Sequence, residues 1–231
     1  MARLSYPRHA GPTPEALPPA ERTIGQVVAE SIKLYGARFW PSLSLGVPSA
    51  VVVALGSWVH GTTARDVAIV AAGALLSALA LARAVRIAHP EARDALAPAV
   101  AAGLVGFAPV LLARVVVFPG IYPLALVWLA ATVFAVPAVL VEGVPLGRAF
   151  ARSLRLLRAD WVHAVGALLT LAVVIVVTAL VLTFLIRGFG DQGIRVAALI
   201  ALLVLTPLFF LGAAVLYGDQ AARCRVVPHV D

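Results

Sequence analysis

Residues 161–186 read WVHAVGALLTLAVVIVVTALVLTFLI, a run without a single aspartate, glutamate, lysine or arginine. The hydrocarbon core of a bilayer, roughly 30 Å thick, is crossed by about 20 mostly apolar residues in a helix. In water, this run would expose more apolar surface than its few polar groups could cover. The stretch therefore predicts a transmembrane helix. The other predicted spans are identified by comparing their length and hydropathy with those of this stretch.

The composition of the whole chain indicates the same environment. Of the 231 residues, 62% are hydrophobic and only 13% are charged, whereas soluble domains are nearer half apolar and a quarter charged. Six stretches meet the length and hydropathy requirements for a span, at 39–59, 67–88, 95–118, 121–141, 161–186 and 196–217. The predicted fold is all-α: a polytopic membrane helical bundle of about six transmembrane helices plus two amphipathic interfacial helices.

The third and fourth predicted spans are the least clearly separated. Only Pro119 and Gly120 lie between them, with Pro123 close behind. Proline and glycine interrupt helices. Each of these two spans is therefore either a regular helix or a broken or re-entrant one.

Basic residues predict the orientation of the chain, because cytoplasmic loops retain lysine and arginine. With the N-terminus inside, fourteen of the eighteen basic residues fall on the cytoplasmic side. The other four are Arg65, Arg114, Arg187 and Arg195. Both termini are therefore expected in the cytoplasm. The predicted organisation is a disordered proline-rich arm at 1–22, one membrane domain at 23–220 and a cytoplasmic tail at 221–231.

Two shorter segments have the pattern of amphipathic helices that lie in the headgroup plane. In the first, Thr23 and Gln26 have the spacing of a capping box. Its predicted helix runs to Arg38, with an apolar stripe of Ile24, Val28, Ile32, Tyr35 and Phe39. The second runs from Pro145, a favourable first-turn residue, to Asp160, with an apolar stripe of Leu146, Phe150, Leu154, Leu157 and Trp161. Each stripe is expected to face lipid or the protein's own bundle.

The two amphipathic segments match each other at a constant offset of 122 residues, so that Ser31 aligns with Ser153 and Phe39 with Trp161. Each segment leads directly into a pair of predicted spans. The match predicts an internal repeat with halves near 23–88 and 145–217. An even number of spans separates the copies, so both begin on the same face of the membrane.

The chain offers few residues for chemistry. Cys224 is the only cysteine, and no His-x-x-x-His or Glu-x-x-His pair is present to hold a metal on one helix face. We therefore predict no catalytic residue, no metal and no cofactor. The net charge of +7 is not accompanied by a nucleic-acid-binding motif. The expected partners are membrane lipids with anionic headgroups, with a protein partner or homo-oligomer as a further expectation, and no nucleic acid.

Four arginines of the second amphipathic segment form the sharpest candidate site. Arg148, Arg152, Arg155 and Arg158 recur at intervals of four and three, which places them on one ridge of a helix. Guanidinium groups donate paired hydrogen bonds to phosphate. The ridge therefore either contacts lipid headgroups or a partner, or determines topology without a specific ligand. Glu142, just before this helix, either pairs with a nearby arginine or takes part in binding.

Arg114 is the remaining candidate residue, a cation several residues inside the outer end of the third predicted span. Ionisable residues within spans commonly mark pathways for ions or protons, which makes Arg114 a candidate buried polar group. Alternatively, its long side chain reaches the headgroups by snorkelling.

The region around the arginine ridge also resembles a known family. Residues 134–158, FAVPAVLVEGVPLGRAFARSLRLLR, place a span that ends in glutamate before an Ala-x-x-Arg-Ser motif and a basic, apolar helix. This pattern resembles the bacterial membrane-domain family named after glycerophosphoryl diester phosphodiesterases. The ending Leu216-Tyr217-Gly218-Asp219 is similar too, although the family usually continues with a basic residue that is delayed here to Arg223.

The resemblance implies a multi-span bacterial plasma-membrane protein that is accessory to a partner. It implies no catalytic residues, because the phosphodiesterase barrel that gives the family its name is soluble and has no counterpart in this chain. Our leading expectation is a non-enzymatic scaffold or accessory subunit of the bacterial inner membrane. The alternative is a small transporter or channel-like protein with a cavity between the two repeats, and the third reading is a membrane-embedded lipid enzyme.

Overall fold

The computed structural model describes residues 17–58, 61–115 and 121–226, and within these ranges the chain is helical and contains no strand. The α-helices are α1 (Ile24–Ala37), α2 (Phe39–Leu43), α3 (Val47–Trp58), α4 (Thr62–Ala88), α5 (Leu96–Val115), α6 (Ile121–Thr132), α7 (Ala135–Pro137), α8 (Leu146–Ala159), α9 (Trp161–Ile186) and α10 (Gly190–Val226). Short 3-10 turns cover Pro19–Glu21 and Arg187–Phe189, and a π-helical segment covers Ala138–Glu142. Most of the predicted arm (1–16) and the last residues of the predicted tail (227–231) lie outside these ranges.

Five helical stretches are long and apolar enough to cross a membrane, namely Thr62–Ala88, Leu96–Ala113, Ile121–Glu142, Trp161–Ile186 and Gly193–Arg225. A sixth candidate is a bent pair of helices, Ile24–Ala37 with Phe39–Leu55, and the bend between the two parts is 112°. In the described ranges, the protein is therefore a multi-pass helical membrane protein with five or six spans. Helices suit this role because every backbone hydrogen bond is made within the segment.

The first predicted span, 39–59, is interrupted rather than continuous. The chain turns between α2 and α3, and residue 59 lies outside the described ranges. Pro48 favours the break, since its ring would collide with the carbonyl group four residues earlier in a continuous helix. Gly46 in this turn lies against the backbone of Leu203 on α10, where a Cβ atom would overlap it. The close approach fixes the turn and makes α3 a separate helix of 12 residues.

The fourth predicted span is one helical stretch, Ile121–Glu142, that contains a two-residue turn. Helix α6 ends at Thr132, and the chain turns at Val133 and Phe134 before α7 begins. Val133 is four residues before Pro137, and the ring of a proline conflicts with the carbonyl group at that position of a regular helix. The described part of the third span, in contrast, is the continuous helix α5, which contains Pro109 in its interior, while residues 116–118 and the predicted turn at Pro119 and Gly120 lie outside the described ranges.

Helix α9 has the predicted bounds of the fifth span, but α10 is longer than the predicted 196–217. It contains 37 residues, or about 55 Å of helix, well beyond the roughly 30 Å of a hydrocarbon core. Helix α10 packs against α1, α3, α4, α8 and α9. It is therefore the central helix of the bundle, and it is longer than the hydrocarbon core of a membrane is thick.

Small residues let the helices approach closely. A Cβ atom on Gly103 of α5 would meet Ala78 of α4, and one on Gly212 of α10 would meet Leu171 of α9. Helix pairs in membranes are packed by such contacts rather than by a hydrophobic driving force. The largest fully buried side chains include Phe134, Leu81, Leu140, Leu211 and Leu216.

The two amphipathic helices, α1 and α8, each contain 14 residues. The predicted capping box of α1 is present: the Gln26 backbone N–H donates to Thr23 Oγ1 over 3.4 Å, and the Thr23 N–H donates to Gln26 Oε1 over 2.8 Å. Pro145 stands just before α8 rather than in its first turn. Both helices contact α10. We call the end of the bundle that contains the arginines of α8, together with Arg22 and Arg223, the basic end.

The buried faces of α1 and α8 consist mainly of small residues. They are Val27 and Ser31 in α1, and Ala149, Ser153 and Leu156 in α8. The predicted apolar stripes are divided. Some members pack partly buried against the core, namely Ile24, Tyr35, Leu146, Phe150 and Leu157, and others are largely exposed, with Ile32 at 53%, Leu154 at 42% and Trp161 at 63%. Exposed apolar side chains beside a packed face suit a helix at the membrane interface.

Candidate functional site

The candidate site at the basic end is built on the ion pair between Glu142 and Arg152. The Arg152 Nε atom donates to Glu142 Oε1 over 3.0 Å and to Oε2 over 2.9 Å. Arg152 Nη2 donates to Oε1 over 2.8 Å. Guanidinium and carboxylate thus meet through two nitrogen atoms, the arrangement that gives the strongest pairs of this type. Both side chains are mostly buried, with 28% of Glu142 and 19% of Arg152 exposed.

Helix α10 completes this cluster. The Tyr217 hydroxyl donates to Glu142 Oε1 over 2.7 Å, and Arg152 Nη1 contacts Cys224 Sγ at 3.6 Å. Hydrogen bonding to Glu142 is the main cause that raises the pKa of Arg152. The four side chains, which we call the Glu142 cluster, join the π-helical segment, α8 and α10.

Local backbone geometry explains why Glu142 points into the cluster. The π-helical segment ends at Gly143, whose φ of +69° lies in the left-handed region, a conformation that glycine adopts without steric cost. The Arg93 guanidinium lies against the Gly143 Cα, where a Cβ would overlap it. The Arg93 backbone N–H donates to the Leu140 carbonyl over 2.7 Å. This loop therefore fixes the turn that directs Glu142 towards α8.

A second polar cluster lies nearby, around Asp160. This residue caps α9 by accepting a hydrogen bond from the His163 backbone N–H over 3.0 Å. Its Oδ2 atom accepts a 3.0 Å hydrogen bond from Arg223 Nη1, and its carbonyl oxygen accepts one from Gln220 Nε2 over 3.3 Å. Asp160 thus connects the break between α8 and α9 to the end of α10.

Arg22 ties the N-terminal segment to the same place. Its Nη1 atom donates to Asp219 Oδ1 over 3.1 Å, and its carbonyl oxygen accepts a 2.6 Å hydrogen bond from Arg223 Nη2. The Asp219 side chain is completely buried. Its charge is therefore neutralised by an ion pair, as expected for a buried carboxylate.

Three of the four arginines of the predicted ridge are exposed, namely Arg148, Arg155 and Arg158. Arg152 is turned away from them and pairs with Glu142, which is the pairing alternative for that glutamate. The four arginines therefore do not form one uniform ridge. Arg114 belongs to α5, but its side chain lies outside the described part of the structure.

Sequence reasoning did not assign Tyr217, Asp160, Asp219 or Arg22 to a site. The signal for two of them was present, because Asp160 and Asp219 are acidic residues directly beside apolar spans and close to arginines. Their partners could not be identified from spacing, since Arg22 and Asp219 are 197 positions apart. Only the packing of α1 and α9 on α10 brings them together.

The Glu142 cluster is better suited to holding the π-helical segment, α8 and α10 together than to transferring protons. Glu142 already accepts hydrogen bonds from Arg152 and Tyr217, so its carboxylate has little capacity left for a substrate. Within the described ranges, no three metal-ligating side chains come together. The chemically available groups at the basic end include the exposed guanidinium groups of α8. No family model, curated protein or solved structure matches this chain.

Proposed function

We propose that this protein is a non-enzymatic scaffold or accessory subunit of a bacterial plasma membrane that contacts anionic lipid headgroups through α8. The observation that carries the proposal is the exposure of Arg148, Arg155 and Arg158 on a helix next to the membrane spans. Each basic residue near an anionic surface contributes about 1 kcal/mol of binding. Three exposed arginines therefore attract anionic headgroups by about 3 kcal/mol in total without a specific pocket.

The same proposal includes the topology and the internal repeat. Both chain termini lie in the cytoplasm, because the basic end carries most of the arginines. The repeat is supported by helix bounds, since Leu146 follows Ile24 by 122 positions and both helices contain 14 residues. It is also supported by burial, since the aligned Ser31 and Ser153 are both fully buried.

The resemblance to the membrane domains of the glycerophosphoryl diester phosphodiesterase family supports an accessory role over an enzymatic one. Glu142, the acidic residue of that motif, accepts hydrogen bonds from Arg152 and Tyr217. A transporter would require a polar cavity between the repeats. The groove between α3 and α10, one place where the two halves meet, is lined by apolar side chains such as Val51 and Leu203, which favours the accessory role.

Lipid analysis of the purified protein tests this proposal. The full chain is extracted from bacterial membranes in mild detergent, and the co-purifying phospholipids are quantified. We expect anionic phospholipid to be enriched over the bulk membrane, and this enrichment to be lost when Arg148, Arg155 and Arg158 are replaced by glutamine.

The matched control replaces three exposed arginines at the opposite end, Arg65, Arg187 and Arg195, by glutamine. This variant should retain the enrichment. Equal loss in both triple variants would mean that overall charge, rather than α8, attracts the lipid, and the proposal would then be wrong. Proteins that co-purify with the wild type but not with the α8 variant are candidates for the partner of the proposed accessory subunit.

A further inference from the structure

A groove lies between α4 and α5 at the end of the bundle opposite the basic end. It encloses about 380 Å³ and is lined by Thr63, Asp66, Val67, Val70, Ala71 and Leu112. The α4 residues are spaced by three and four, so they share one face of that helix, and Leu112 of α5 forms the other wall. The volume falls in the range of sites that bind small molecules.

Asp66 is the unusual residue in this groove. Its side chain is partly buried, it belongs to a helix long enough to cross a membrane, and it has no hydrogen bond or ion pair with any residue in the described ranges. A carboxylate that is partly withdrawn from water normally has a partner. Ionisable residues in membrane segments indicate a functional site by default.

The helix dipole alone does not account for Asp66. A negative charge is favourable at a helix N-terminus, but this effect falls off within the first turn. Asp66 is the fifth residue of α4, which begins at Thr62. The dipole also gives no reason for an apolar groove beside the carboxylate.

The order of residues along the groove matches that of a phospholipid in a bilayer. Thr63 and Asp66 are nearest the end of α4, and Val67, Val70 and Ala71 follow towards the middle of the span. From Asp66 to Ala71 the helix rises by about 7.5 Å. The polar groups thus lie near the membrane edge, and the apolar wall extends inwards from them.

We propose that this groove binds a phospholipid with a primary ammonium headgroup, of the phosphatidylethanolamine type. The ammonium donates a charge-assisted hydrogen bond to the Asp66 carboxylate, and one acyl chain lies along Val67, Val70 and Leu112. Phosphatidylcholine has no N–H group to donate, and phosphatidylglycerol brings a negative charge towards the carboxylate. This site is separate from the arginines of α8, and it does not depend on the function proposed for them.

Native mass spectrometry of the full chain in detergent tests the proposal. The protein is titrated with phosphatidylethanolamine, phosphatidylcholine and phosphatidylglycerol of the same acyl chains. We expect phosphatidylethanolamine to bind about tenfold more tightly than the other two, and Asp66→Asn to remove this preference, as loss of a hydrogen bond to a charged group predicts. The matched control is Asp94→Asn, because the Asp94 side chain is 97% exposed at the basic end, and it should bind like the wild type.

A second variant tests the apolar wall without changing charge. Leu112→Trp fills the groove, so it should weaken phosphatidylethanolamine binding while Asp66 is intact, and it remains informative if Asp66→Asn fails to fold. Equal binding of phosphatidylethanolamine and phosphatidylcholine by the wild type would overturn the proposal. Unchanged binding in Asp66→Asn or in Leu112→Trp would overturn it as well.

Discussion

The Tyr217 hydroxyl group donates a hydrogen bond of 2.7 Å to Glu142 Oε1, although 75 positions separate the two residues in the chain. The same oxygen atom accepts a 2.8 Å hydrogen bond from Arg152 Nη2. One carboxylate therefore joins the end of a span, an amphipathic helix and the central helix of the bundle. We therefore expect the stability of the basic end to depend on Glu142 more than on any exposed arginine.

Replacing Glu142 by glutamine should destabilise the protein by about 2 kcal/mol, because the Arg152 charge is left mostly buried without its counter-ion. For a chain of this size, we expect a fall of about 4–8 °C in the melting temperature in mild detergent. Arg148→Gln is the matched control, since Arg148 is exposed on the same helix as Arg152. It should change the melting temperature by less than about 2 °C.

The double variant Glu142→Gln, Arg152→Gln separates the ion pair from other effects. If the two side chains stabilise the fold through each other, the double variant is less destabilised than the sum of the single variants. Strictly additive losses would contradict the pairing.

Replacing Tyr217 by phenylalanine should cost about 1 kcal/mol, the net contribution of one hydrogen bond. The loss is smaller than for Glu142→Gln, since Arg152 still satisfies the carboxylate. The same melting experiment measures it, with Tyr35→Phe for comparison, because the buried Tyr35 hydroxyl has no hydrogen-bond partner in the described ranges. A larger effect at Tyr35 than at Tyr217 would contradict the assigned contact.

Two glycines four positions apart should respond in opposite ways to alanine. Gly143 has a φ of +69°, and a Cβ there overlaps the Arg93 guanidinium, so Gly143→Ala should destabilise by about 1–3 kcal/mol. Gly147 is in the first turn of α8, and a Cβ there meets nothing within 4 Å. Gly147→Ala should be neutral or stabilise by up to about 1 kcal/mol, because alanine favours a helix. Equal melting temperatures for the two variants would contradict the strained turn.

Cys224, the only cysteine, reports the orientation of the basic end. We expect a membrane-impermeant maleimide to label it in inverted vesicles but not in intact spheroplasts, because the arginine distribution puts this end in the cytoplasm. The control variant, Gly188→Cys with Cys224→Ser, carries its thiol at the opposite end and should show the reverse pattern. Labelling of Cys224 from outside would reverse the proposed topology.

The Cys224 thiol also contacts the Arg152 guanidinium at 3.6 Å. Loss of the ion pair in Glu142→Gln should therefore free Arg152 and raise the labelling rate of Cys224 in inverted vesicles. Arg148→Gln should leave the rate unchanged. The same rate in both variants would argue against a coupled cluster.

Periodicity and hydropathy predict the spans well, because a run such as 161–186 must be helical to satisfy its backbone in lipid. The capping box of Thr23 and Gln26 is likewise a local pattern, and the structure confirms it. Pro48 is a local signal for the interruption of the first span, but the position of the turn depends on the contact between Gly46 and Leu203. Such a contact between distant segments leaves no periodic trace in the sequence.

The candidate site was predictable only in part. The proximity of Glu142 to α8 suggested a pair with an arginine, but four arginines were equivalent in spacing. The choice of Arg152 depends on which side of α8 packs against the bundle, and the fully buried residues on that side, Ala149, Ser153 and Leu156, lie outside the predicted apolar stripe. Tyr217 could not be predicted as a hydrogen-bond partner of Glu142, because a tyrosine at the end of a span is common at any membrane interface.

The link between Arg22 and the end of α10 has a consequence for biosynthesis. The partners of Arg22 are Asp219 and Arg223, about two hundred residues further along. At 5–20 residues per second, a ribosome needs roughly 10–40 s to reach them after Arg22 has been made. Throughout that interval, the first amphipathic helix lacks this anchor, so in a nascent chain halted before residue 219 it would be held only by earlier parts of the bundle such as α9.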